Sequence, residues 1–144
     1  MLTSRLFVWK LRLPEGAAPD LRPAPRWPDP ELAAAFAVDR GPVLVTVEYE
    51  IDPADAEAFA RAMRALGRIR LRDGALRWGL WADAGRQGRY LESFVVESWL
   101  EHLRQHERVT AADRDVQRLA HTFHRGAEPP RVTHFVHERM PEGA

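Results

Sequence analysis

An ordered switching between two hydrophobic periods, beginning at Gly41, constrains this chain more than any other feature. Residues 43–51 are rich in β-branched and aromatic side chains, and Val45, Val47, Tyr49 and Ile51 share one face at period two, which predicts a strand. Asp52-Pro53-Ala54-Asp55 then reads as a helix start, a capping carboxylate followed by proline at the first helical position. The helix is predicted to reach about Arg70, with Phe59, Met63, Leu66 and Ile69 on an apolar stripe and Arg61, Arg64, Arg68 and Arg72 nearly opposite. Asp73-Gly74 ends it. Two strands follow, 75–82 and 90–97, joined through Gly85-Arg86-Gln87-Gly88 as a hairpin. Leu76, Trp78 and Leu80 oppose Arg77, Gly79 and Trp81 on the first; Tyr90, Glu92, Phe94 and Val96 oppose Leu91, Ser93 and Val95 on the second. Ser98-Trp99-Leu100-Glu101 has capping-box spacing and opens a second helix. Thr110-Ala111-Ala112-Asp113 repeats that signal, so this helix is predicted to break near 108–110 and resume to about His121. Residues 131–137 form the last strand, with Val132, His134 and Val136 on one face.

Strand, helix, strand, strand, helix, strand is the split βαβ order. It predicts an α+β, ferredoxin-like βαββαβ subunit with an antiparallel four-stranded sheet and helices on one face. The opposite face is left bare although its side chains are not wholly polar. A second copy packed across a two-fold axis, giving a dimeric α/β barrel, is the expected cover.

Upstream of this pattern the chain differs in kind. Seven of the eleven prolines fall in residues 1–42, which reads as an extended Pro-rich arm with a short helical turn near 31–37, pinned by Trp27, Leu32 and Phe36. The expected organisation is therefore arm 1–42, folded domain 43–138 and tail 139–144. The 21 basic and 21 acidic side chains balance, which argues against a nucleic-acid partner. With no cysteine there is no disulfide, thiolate metal site or Cys nucleophile. No apolar run approaches the roughly 20 residues needed to span a bilayer, and Leu6-Phe7-Val8-Trp9 lacks a signal-peptide cleavage site, so a cytoplasmic location is expected.

With those elements in place, several segments resemble the soluble C-terminal region of bacterial major facilitator superfamily transporters of the transmembrane secretion effector type. They are Gly41-Pro42-Val43-Leu44-Val45-Thr46-Val47-Glu48-Tyr49 with Ile51-Asp52-Pro53, then Arg72-Asp73-Gly74-Ala75-Leu76-Arg77-Trp78, then residues 97–110. Leu11-Arg12-Leu13-Pro14-Glu15-Gly16 is similar to the stretch after the last membrane helix of that family, and Ala24-Pro25-Arg26-Trp27-Pro28 to its Trp-Pro segment. More broadly the chain resembles the dimeric α/β-barrel superfamily that includes the antibiotic-biosynthesis monooxygenases. The resemblance spans about residues 11–137 and implies a cytosolic, non-catalytic ligand-binding or dimerisation module, at the inner face of the membrane if it is part of a transporter. The alternative it implies is a cofactor-independent monooxygenase acting on a small aromatic or polyketide-type substrate. That activity is associated with a pocket combining asparagine, tryptophan and sometimes histidine, and this chain has no asparagine.

All six histidines lie beyond residue 101. His102 and His106, four apart, share a helix face; the spacing suits a divalent metal only if a third ligand converges, and no metal is assigned. The resemblance sets the second helix beside a cavity between sheet and helices, making this pair a pocket wall. Trp78, Tyr90, Phe94, Trp99, His102, His106 and His134 are the candidate lining of a small apolar ligand site, with Trp78, His102 and His106 the residues to test for catalysis. Glu48 and Glu50 are two apart on one strand face and read as solvent-facing. No phosphate loop, dinucleotide fingerprint or nucleophile elbow is present, and no cofactor is implied. The arginines at 61, 64, 68 and 72 offer attraction to an anionic membrane surface.

Overall fold

The structure, a computed structural model, describes residues 39–143; the arm, its short helical turn and the aromatic residues expected to pin it lie outside the described residues. Strand β1 (Val43–Glu50) leads through a 3₁₀ turn (Pro53–Asp55) into helix α1 (Ala56–Arg72). Strands β2 (Arg77–Ala82) and β3 (Arg89–Val96), helices α2 (Trp99–Arg108) and α3 (Ala111–Thr122), and strand β4 (Arg131–Val136) complete the order. The sheet runs β2-β3-β1-β4 with every neighbouring pair antiparallel. This is the α+β ferredoxin-like fold expected from the two alternating periods.

The local signals act as their chemistry dictates. Asp52 accepts a hydrogen bond from the Ala54 amide at 3.0 Å, and Pro53 takes the first helical position. Thr110 and Asp113 cap each other's amides reciprocally, which starts α3 and explains the break after α2. Ser98 accepts from the Glu101 amide, but the Glu101 carboxylate turns to Arg108 instead of back to the cap. At the hairpin Gly88 has φ +85° and a Cβ there would meet the Ile51 carbonyl oxygen at 2.4 Å, so the turn is closed to any other residue.

One face of the sheet carries the core. Val47, Tyr49 and Ile51 of β1 pack on Phe59, Met63 and Leu66 of α1 and Ala120 of α3; Val43, Val45, Phe94, Val96 and Trp99 form a second cluster under α2. The two are joined by Trp78, whose ring lies on α1 where Gly67 stands: a Cβ at Gly67 would approach the indole to 2.5 Å. The inward stripe of α1 follows 59, 63, 66 and 67, then Arg70; Ile69, expected on it, is only half-buried.

Among the described residues no helix lies on the opposite face. Its register rows are Leu44, Val95, Arg77 and Phe135; then Thr46, Ser93, Gly79 and Thr133; then Glu48, Leu91, Trp81 and Arg131. Trp81 is 60% and Phe135 52% exposed, so the face presents large apolar groups to water around a central row of small ones. Glu48 pairs with Arg89 at 2.6 Å and Glu50 with Arg86 at 2.7 Å, which gives both acids surface ion-pair roles.

Candidate functional site

Two polar centres are buried under the helices. The first is Glu92, wholly enclosed on the helix face of β3. Burying a carboxylate costs several kcal/mol unless its oxygens are paired and hydrogen-bonded. Here Arg70 Nε and Trp78 Nε1 both donate to Oε1 at 3.1 Å, and the Tyr49 hydroxyl donates to Oε2 at 3.3 Å. Burial, then the Glu92 charge, pushes the Tyr49 phenol upward, so it keeps its proton.

The second centre is an imidazole cluster. The register Val45↔His134 sets His134 of β4 beside β1, and α2 lays His102 over it. His102 Nε2 lies 3.0 Å from His134 Nε2 and 3.2 Å from His106 Nε2. One ring nitrogen carries either one hydrogen or one lone pair, so two neighbours compete for the same atom. The other nitrogen, His102 Nδ1, is buried without a hydrogen-bond partner. Burial, followed by the His106 and His134 charges, pushes the His102 pKa down to about 3. Burial also lowers His134, and burial followed by the Arg70 charge lowers His121. His134 thus joins the pair that the helix spacing suggested, yet among the described residues no group of three or more His, Asp or Glu is arranged to hold a metal ion.

The cluster forms one wall of a cavity of about 220 Å³ between β1, β3 and β4 on one side and α1, α2 and α3 on the other. Val45, Val47, Phe94, Val109 and Val132 supply its apolar surface; Arg70 and Arg114 enter from α1 and α3. Of the seven residues expected at the ligand site, the structure gathers Phe94, His102, His106 and His134 around this cavity. The other three are placed elsewhere. Trp78 is held away by its bond to Glu92 and its seat on Gly67. Tyr90 packs edge-on to Phe59 at 5.3 Å, near the start of α1. Trp99 is buried behind the imidazoles, its ring 5.5 Å from both His102 and His134, and supports the wall without lining it.

Arg70 is the main residue that the sequence reading passed over. It continues the 59-63-66 progression by a further four residues, so it was legible as a charge on the buried stripe. Glu92, an acid alternating with Tyr90, Phe94 and Val96, was the matching signal. The outer arginines differ among themselves. Arg61 pairs with Glu57 at 2.7 Å, while Arg64 and Arg68 stay exposed. Arg72 donates from its terminal nitrogens to both Asp113 oxygens at 3.1 and 2.6 Å and from its Nε to Asp73 at 2.8 Å, so it ties α1 to α3 while its side chain stays half-exposed. Burial would raise the Asp113 pKa, but the bonds from Arg72 and Thr110 outweigh it and lower it.

The architecture defines a class, the α+β fold shared with antibiotic-biosynthesis-monooxygenase-like structures. A protein from Caulobacter crescentus described as a candidate antibiotic biosynthesis monooxygenase superposes with a TM-score of 0.58 at 16% identity, over 71% of this chain and 94% of that one. A protein from Nitrosomonas europaea of the same description gives 0.57 at 17%, over 72% and 95%. SnoaB, a cofactor-independent oxygenase from Streptomyces nogalater, gives 0.51 at 13%, over 69% and 93%. At such identities the likeness is one of fold. The family itself comes from the sequence: a family model described as "Transmembrane secretion effector" matches residues 1–142, and the chain belongs to that family. No protein of curated function matches it. Among the described residues no helix is long and apolar enough to cross a membrane.

Proposed function

We propose that this chain is a non-catalytic module that binds a small, largely apolar molecule in the cavity between sheet and helices, working as a homodimer at the cytoplasmic side of the membrane. The observation that carries the reading is the cavity itself, an apolar chamber with a few polar groups converging on it, which is the usual composition of a ligand site. The chemistry of its wall favours binding over turnover. A general base works best with a pKa near the operating pH, whereas His102 is pushed down to about 3. The chain also has no asparagine to steady a developing oxyanion.

A second reading, a cofactor-independent oxygenase acting on a small aromatic or polyketide-type substrate, is favoured by the convergence of His102, His106 and His134 and by the shared fold with SnoaB. Oxygen uptake with an anthrone-type phenol separates the two. We expect none; uptake that disappears in His106→Ala would overturn the non-catalytic reading.

The partner we propose is a second copy on the open sheet face. Its central row of Thr46, Ser93, Gly79 and Thr133 is short enough for another sheet to come close, and the flanking Leu44, Val95, Phe135 and Trp81 supply apolar area. Light scattering should give twice the chain mass, and Phe135→Asp should return it to one chain. A weak attraction of α1 to anionic lipid is left to Arg64 and Arg68, on the order of 1 kcal/mol per residue.

A further inference from the structure

We infer that the ligand of this cavity is a small organic anion, a carboxylate carried on a flat apolar body, with its charge seated on Arg70. The inference rests on the binding reading above and adds the chemical class. Its first support is the sign of the lining: among the described residues the titratable side chains that reach the cavity are Arg70, Arg114, His102, His106, His121 and His134, with no Asp or Glu. Imidazole is mostly neutral at about pH 7.5, so the arginines set the sign of this wall. An apolar chamber with arginine in its lining and no acid among the described residues facing it favours negative charge.

The second support is how Arg70 is held. Its side chain is 13% exposed. Its Nε–H is committed to Glu92, and its guanidinium carbon lies 4.8 Å over the Phe94 ring, which also faces the cavity. Those contacts fix the plane of the fork but leave both terminal nitrogens without a hydrogen bond to any described residue. Two parallel N–H donors on a clamped guanidinium match the two oxygens of a carboxylate. Glu92 is the acid that makes this possible: it compensates the arginine from behind and leaves its outer edge to the cavity.

The third support is size and surface. A volume of about 220 Å³ lies below the roughly 300–1,000 Å³ of drug-sized sites. Phe94 with Val45, Val47 and Val132 offers a planar aromatic and aliphatic bed. A fused bicyclic acid fills this description.

The test titrates the full chain with 1-naphthoate and with its neutral counterpart 1-naphthamide, at about pH 7.5 where free imidazole is mostly neutral, following tryptophan fluorescence and calorimetry. Naphthoate should bind on the order of tenfold tighter, the worth of one charge-assisted hydrogen bond. A Val47→Phe variant, which fills the cavity, should lose both compounds. The double variant Arg70→Gln/Glu92→Gln removes both charges of the buried pair together and should bring the ratio of affinities to about one. Equal binding of the two compounds by the native chain overturns the anion assignment while leaving the cavity as a binding site. So does a ratio that survives in the double variant. If neither compound binds, or if Val47→Phe retains both, the binding reading falls and the anion assignment with it. The native ratio stands alone if the double variant does not fold.

Discussion

The two buried polar centres invite comparison because they lie under the same helices and obey opposite accounting. Around Glu92, three donors meet two oxygens, and no side-chain atom there is stranded. Around His102, two neighbours crowd a single nitrogen while the other nitrogen has none. A satisfied network of charge and hydrogen bonds specifies packing and resists change. An over-subscribed one can exchange partners cheaply, which is what a ligand wall needs. Arg70 belongs to both, with one donor in the closed centre and its edge in the open one.

That contrast can be broken by mutation. The largest effect is expected for Arg70→Leu, which strands the Glu92 carboxylate; chemical denaturation should show a loss of roughly 3–5 kcal/mol. His102→Leu, similar in its burial, should cost less than about 1.5 kcal/mol because it removes an unpartnered polar atom along with its contacts. Equal losses for the two would erase the distinction between the centres. Gly67→Ala should fall between them. Alanine favours the helix by up to about 1 kcal/mol, but its methyl meets the Trp78 ring that donates to Glu92, and a net loss of roughly 1–2 kcal/mol in thermal or urea unfolding is expected.

Acidity sharpens the same comparison. The His102 ring is held neutral in the folded chain down to about pH 3, whereas an unfolded histidine gains its proton near 6.5. Between those values the unfolded state binds more protons, so stability is full above about pH 6.5 and falls as pH drops. The slope from this residue is about 1.4 kcal/mol per pH unit. His134 and His121, also shifted downward, act in the same direction. Urea midpoints measured from pH 7 to pH 5 should decline in the native chain and decline less in His102→Leu. A slope unchanged by the substitution would mean that His102 is charged in the fold. Smallest of all, anionic vesicles should retain the chain weakly and in a salt-sensitive way; no difference from Arg64→Gln/Arg68→Gln would remove that contact.

Much of the fold was legible because its signals are local. Period-two alternation set the strands to within two residues, Asp52-Pro53 and Thr110-x-x-Asp113 marked helix starts, and an apolar progression gave the face of α1. The site was less legible because it is assembled across distance. His134 reaches His102 only once β4 lies beside β1, a pairing that no spacing within α2 announces. Trp78 appeared as a pocket aromatic because its strand face was right; its diversion to Glu92 depends on a glycine eleven residues earlier in the chain, on α1. Arg70 was hidden by the choice of Ile69 as the next apolar step, although helical geometry carries 59, 63 and 66 on to 70.

The central claim is that a small molecule occupies the chamber under the helices. Amide and imidazole NMR shifts during titration with 1-naphthoate test it most directly. The account predicts saturable changes at Arg70, Phe94, His102 and His134, with the open face around Trp81 and Phe135 unmoved. Changes confined to that open face, or none at the imidazoles, would contradict it.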